Sequence, residues 1–138
     1  MEFLKQYEIL FKKARTDLKA GKNLLEDFEN GDDELDLETI MFHFQQCAEK
    51  LLKSLLAYNE LHYTKTHNIK ELVKGIRNNN IVVDIDIEIL MPLTYYAVEG
   101  RYAIIHDDLE DGDIYITLLD ELLKFVKDTI NKEKQDEK

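Results

Sequence analysis

An all-α fold, an up-and-down bundle of about five helices, is what this sequence predicts, and three observations predict it. Leucine outnumbers valine twenty to five and tryptophan is absent, a bias toward helix formers over strand formers. Apolar residues recur at spacings of mostly three or four, the stripe of an amphipathic helix. Asn and Gly punctuate those stripes, while the one serine, Ser54, leaves no Ser/Gly linker to divide the chain. At 138 residues the length suits one domain, for which roughly 150 residues is typical. The apolar fraction of 44%, with one Pro and five Gly, excludes disordered and collagen-like chains.

The first helix is expected over about residues 2–29, with Phe3, Tyr7, Leu10, Ala14, Leu18, Leu25 and Phe28 on one stripe. Asn30-Gly31 ends it, because glycine takes left-handed backbone cheaply. After a short acidic loop, Asp36 caps a second helix over about residues 37–60. Ile40, Phe44, Cys47, Ala48, Leu51, Leu52, Leu55 and Leu56 give it a face broad enough for the centre of a bundle. Asn68, followed three residues on by Glu71, reads as the cap and capping-box partner of a short helix reaching about Arg77.

Residues 83–89 alternate Val83, Ile85, Ile87 and Ile89 with Asp84, Asp86 and Glu88, which is a strand pattern. No second run offers a partner, and a lone strand leaves its backbone groups unsatisfied. The stretch is therefore read as an extended lead-in that turns helical near Asp86, with Pro92 in or near the first turns. A helix then carries Leu93, Tyr96, Ala97 and Arg101. A last helix follows Asp111-Gly112 and uses Ile114, Leu118, Leu122, Phe125, Val126 and Ile130. Residues 1–130 are expected to form one helical domain, and 131–138 a frayed polar tail.

The chain carries 18 basic and 29 acidic residues, a net charge of −11. Nucleic-acid affinity comes mainly from Lys and Arg on phosphates, so general nucleic-acid binding is disfavoured. Six bases between Lys5 and Lys22 leave room for a local basic face, although a solvated helix surface is the plainer reading. The N-terminus lacks an apolar signal-peptide core, no run spans a membrane, and Cys47 cannot form an internal disulfide. A cytoplasmic protein is expected.

Several chemistries are excluded. No two glycines lie closer than ten residues apart, so neither a dinucleotide fingerprint nor a P-loop can form. Residues 107–118 mimic a calcium loop but place Leu109 and Leu118 where oxygen ligands are required. Ser54 sits mid-helix, without the strained turn of a nucleophile. His43 and Cys47, with His62 and His67, have the makings of a zinc set. A lone Cys on a Leu-rich face is nevertheless a small buried hydrophobe, and neither metal nor cofactor is expected.

The run Phe42-His43-Phe44-Gln45-Gln46-Cys47-Ala48-Glu49-Lys50-Leu51-Leu52-Lys53-Ser54-Leu55-Leu56 resembles the helix that marks the HEPN family, the "higher eukaryotes and prokaryotes nucleotide-binding" domains. Asp17-Leu18 with Ala20 resembles that family's opening helix, Thr66-His67-Asn68-Ile69 its step into a short helix, and Tyr95-Tyr96 with Arg101-Tyr102 its late Arg-Tyr helix. The resemblance implies a helical bundle acting as a homodimer. It further implies a nucleotide or RNA ligand, and a nucleotidyltransferase partner of the toxin–antitoxin kind.

Many HEPN proteins are metal-independent endoribonucleases with an Arg, four to six residues, then a His, and Arg101 and His106 meet that spacing. A histidine can take the proton of a ribose 2′-OH, and an arginine can steady the charge on the phosphorane. Against this, residues five apart on a regular helix diverge by about 140°. Five acids also crowd residues 107–113, beside His106, where they repel RNA phosphates and raise the histidine's pKa. The favoured reading is a non-catalytic module in which Tyr95, Tyr96, Arg101 and Tyr102 line a ligand site or a dimer seam; the ribonuclease is the alternative.

Overall fold

In the computed structural model, local capping chemistry sets the helix ends and one central helix gathers the rest. The structure describes residues 5–63, 65–97 and 109–136, without the side chains of 109–111 and 133–136. α1 (Gln6–Glu29) starts where the backbone N–H of Lys5 donates to Glu8 Oε1 at 3.3 Å. It ends at Asn30, and Gly31 takes φ +98°, a left-handed value that costs glycine least. α2 (Leu37–Tyr58) opens on Asp36, whose Oδ1 accepts from the Thr39 N–H at 2.7 Å.

Ala14, Leu18, Gly21 and Leu25 are the buried stripe of α1, and they lie along α2. The two helices run antiparallel: the Ser54 hydroxyl, late in α2, donates to the Tyr7 carbonyl, early in α1, at 2.8 Å. Ile40, Phe44, Leu51, Leu52, Leu55 and Leu56 are almost wholly enclosed, and α2 touches every other element. Each such leucine or phenylalanine contributes roughly 1.5–3 kcal/mol on burial, so α2 is the axis of the core.

α3 (Ile69–Asn78) begins at Asn68, whose side chain accepts from the Lys70 N–H at 2.9 Å. The Ile69 N–H, a second unsatisfied donor of that helix end, goes to Thr94 Oγ1 at 3.0 Å. Ile69, Leu72, Val73 and Ile76 turn inward. The alternating stretch that follows is not paired with any strand among the described residues. Its backbone is satisfied by Arg77 instead: Nη1 donates to the Val83 carbonyl at 3.3 Å and Nη2 to that of Ile85 at 3.5 Å. The same guanidinium holds Glu88 by Nε–Oε1 (2.9 Å) and Nη2–Oε2 (3.2 Å).

From Ile87 the burial period changes from two to three, with Ile87, Leu90 and Leu93 enclosed. That is the spacing of a 3-10 helix, here η1 (Ile87–Tyr96), with Pro92 inside it. The segment is thus helical, as the sequence implies, but it is wound in threes and closes at Ala97, whereas the sequence reading continues it to Arg101. Arg101 lies outside the described residues.

α4 (Leu109–Asp136) runs antiparallel to α1, pinned by Lys22 Nζ on Asp120 Oδ1 at 2.6 Å. Tyr115, Leu119, Leu122, Val126 and Ile130 form its inner face. The expected start after Asp111-Gly112 is corrected, since both residues lie inside the helix. Gly112 is a close approach and not a stop: a Cβ there would meet Leu25 Cδ2 at 3.2 Å. Beyond Ile130 the helix continues through the polar residues to Asp136. No helix among the described residues is long and apolar enough to cross a membrane.

Candidate functional site

Two polar clusters flank the middle of α2, one toward α1 and one toward the chain entering α3. His43 and Lys50 are seven residues apart, two helical turns, and so share a face. Both meet Asp17 of α1, Lys50 Nζ at 2.5 Å from Oδ2 and His43 Nδ1 at 3.3 Å from Oδ1. Gln45, Glu49 and Lys53 follow at intervals of four on the neighbouring stripe.

Glu49, with 5% of its side chain exposed, is the hub of the second cluster. It accepts from Gln45 Nε2 at 3.2 Å, lies 2.8 Å from His67 Nδ1, and pairs with Lys53 Nζ at 3.4 Å. Gln46 donates to Gln45 Oε1 at 2.7 Å, and Lys53 sits 5.7 Å from the centre of the Tyr63 ring. Every buried side-chain polar atom among the described residues has a hydrogen-bond partner. Buried charges are tolerated where they are paired in this way. His67, 64% exposed, is the most open member of the network.

The supposed zinc set does not assemble. His43 faces Asp17, His67 faces Glu49, and Cys47 is fully enclosed, its thiol pushed up first by burial and then by the Asp17 charge. Among the described residues no three His, Cys, Asp or Glu side chains gather as metal ligands.

Of the residues singled out for a site or seam, Tyr95 is 67% exposed and Tyr96 packs half-buried against the core. Tyr95 borders a cavity of about 370 Å³ with Met91, Pro92 and the Asn68 cap. Arg101, Tyr102 and His106 lie outside the described residues.

A larger cavity, of about 610 Å³, opens where the start of α1 meets the end of α2. Lys5, Tyr7, Tyr58, His62, Tyr63 and Lys65 stand on its wall. The Tyr7 and Tyr58 rings meet edge to face, 5.2 Å between centres and 82° between planes. Gln6 Nε2 donates to the Tyr63 hydroxyl at 2.8 Å. Sequence reasoning placed Tyr7 on a core stripe, counted Lys5 among the early bases and His62 in the zinc set, and gave no role to Tyr58, Tyr63 or Lys65. They come from separate segments, so no spacing within one element announces them.

A family model for the HEPN domain matches residues 7–130. The crystal structure of an archaeal HEPN homologue superposes with a TM-score of 0.59 at 22% identity, covering 92% of this chain and 99% of the other. No curated protein matches the sequence.

Proposed function

The chain belongs to the HEPN domain family, and from that premise we propose that it is a non-catalytic, homodimeric helical module. It binds a nucleotide-like ligand, or supports a nucleotidyltransferase partner in a toxin–antitoxin arrangement. One observation carries the reading: the charged residues of the HEPN-like run on α2 are spent on internal pairs. Lys50 is held by Asp17, Lys53 by Glu49, and Glu49 by Gln45 and His67 as well. Phosphoryl chemistry needs a base and a cation aimed at substrate, and these groups are aimed at one another. The net charge of −11 agrees, since it opposes capture of RNA.

The alternative, a metal-independent endoribonuclease, is favoured by the Arg101–His106 spacing. There His106 would take the ribose 2′-OH proton, the 2′-oxygen would attack phosphorus, and the 5′-oxygen would leave. A 2′,3′-cyclic phosphate and a 5′-hydroxyl result, with Arg101 steadying the phosphorane.

Purified protein and its His106→Ala variant, incubated with single-stranded RNA with and without a chelator, separate the two readings. A module leaves RNA intact, and the variant behaves as wild type in growth and binding assays. Chelator-resistant cleavage that is lost in His106→Ala establishes the ribonuclease. Light scattering is expected to give a dimer at micromolar concentration; a monomer removes the shared seam.

A further inference from the structure

We infer that the groove between α1 and α4 is a docking surface for a short acidic segment of a partner protein, one that carries an apolar side chain among its carboxylates. The inference is independent of the ligand and the catalytic readings above.

Four of the six bases between Lys5 and Lys22 fall on one line. Lys12, Arg15, Lys19 and Lys22 follow at intervals of three, four and three, so they share about 80° of the surface of α1 over a length of about 15 Å. Antiparallel packing lays Lys127 of α4 beside the start of that line. A cavity of about 220 Å³ opens there between Lys12, Arg15 and Lys127, with Phe11 and Ile130 in its lining and Glu8 its one acid. On a chain of net charge −11 this is a local reversal of sign.

Which of these charges are already spent decides what the groove can do. Lys22 is held by Asp120 and serves to fix the two helices. Arg15 stands over the Phe11 ring, 5.9 Å from its centre, a contact that consumes no guanidinium N–H. Lys12, Lys19 and Lys127 are exposed, and their ammonium groups form no ion pair among the described residues. The bordering acids stand at the edges. Glu8, whose Oε1 accepts from the Lys5 N–H, and Glu26 each lie four residues beyond an end of the line. Glu121 and Asp128, both exposed, lie about 100–120° round α4 from Lys127.

That layout selects the occupant. A strand of RNA runs on past both ends, where Glu8 and Glu26 repel its phosphates. A protein segment of about ten helical residues, or four or five extended ones, ends within the 15 Å. The half-buried Phe11 ring offers that segment's apolar side chain a floor. Exposed ion pairs are individually weak, so the carboxylates set approach and orientation while the apolar anchor holds the segment.

Fluorescence anisotropy of the full chain with a labelled ten-residue peptide, four glutamates about one leucine, tests the groove. At about 50 mM salt a Kd of roughly tens of micromolar is expected, weakening about tenfold or more at about 0.5 M. Lys12→Gln, Lys19→Gln and Lys127→Gln together should weaken binding by about tenfold or more, and serine for the peptide's leucine by about fivefold. Lys13→Gln, Lys65→Gln and Lys70→Gln together remove the same charge away from the groove and should change Kd by less than about twofold. All six positions are exposed, so melts should match wild type.

Binding that survives the groove substitutions overturns the site, and an equal loss in the control variant overturns it too, because overall charge is then the cause. A ten-nucleotide single-stranded RNA that binds more tightly than the peptide, and is lost with the groove lysines, overturns the acidic segment as occupant. No binding of the peptide at millimolar concentration overturns the docking surface itself.

Discussion

Replacing Glu49 with alanine asks directly whether the acid at the centre of α2 is architecture or chemistry. Its carboxylate is nearly enclosed and serves three partners, which lose unequally. Gln45 is fully buried; its Oε1 still accepts from Gln46 at 2.7 Å, but its Nε2 keeps only a weak bond to the His67 carbonyl at 3.4 Å, so one amide N–H is orphaned. That costs about 1–3 kcal/mol. Lys53, 13% exposed, is left with its Glu49 partner gone. A broken buried pair costs about 3–5 kcal/mol, but a four-carbon stem lets the ammonium reach water and recover most of it. His67 is open enough for water to replace the carboxylate, at a cost near zero. The net loss is about 3 kcal/mol, which lowers the melting temperature of a chain of this length by roughly 10 °C. Glu49→Gln keeps the shape and one acceptor and should lose less than half as much. Circular dichroism melts at 222 nm measure both. A melting temperature for Glu49→Ala within 2 °C of wild type, on a scale of about ±0.5 kcal/mol, would refute the reasoning, because the carboxylate would then be unspent and available for function.

Gly21→Ala should destabilise even though alanine favours helix by about 1 kcal/mol. Its Cβ would lie 2.5 and 2.8 Å from two ring carbons of the wholly buried Phe44, overpacking that costs about 1–3 kcal/mol; a raised melting temperature would show that the ring can yield. Asn68→Ala should cost about 0.5–2 kcal/mol by leaving the Lys70 N–H without its cap, read by the same melts, and no loss would mean that water serves as well. The Arg77 hydrogen bonds hold the Glu88 carboxyl below its usual 4.5, so the pair's stabilisation is full above that pH and fades as pH falls through the lowered value. Both groups are part-exposed, so the gap between wild type and Glu88→Gln should be at most about 1 kcal/mol at pH 7 and shrink as the pH falls below 4.5; a gap that widens in acid contradicts the sign.

What was legible in the sequence was chemistry settled within a few residues. Asp36, Asn68 and Asn30-Gly31 mark helix ends because their partners lie within about four positions, and the structure puts each of those ends at or beside the expected place. Where a distant partner decides, sequence pattern falls short. Gly112 reads as punctuation until Leu25 is set against it, and residues 83–85 read as an extended lead-in without backbone partners until Arg77 supplies donors. The site divides along the same line. Glu49, Lys50 and His67 stood in the HEPN-like runs, yet their pairing required α1 and the chain entering α3 to be laid against α2. That pairing bears on function. Lys50 joins α1 to α2 through Asp17, and Glu49 joins α2 to the approach to α3 through His67, so the residues that make the run recognisable are those that assemble the bundle. A run whose Glu49, Lys50 and Lys53 are already paired within the fold has no charge to spare for substrate, which is why it favours the binding module. A ribonuclease would have to draw its base and cation from outside this run, which makes substitution of His106 the test between the two readings.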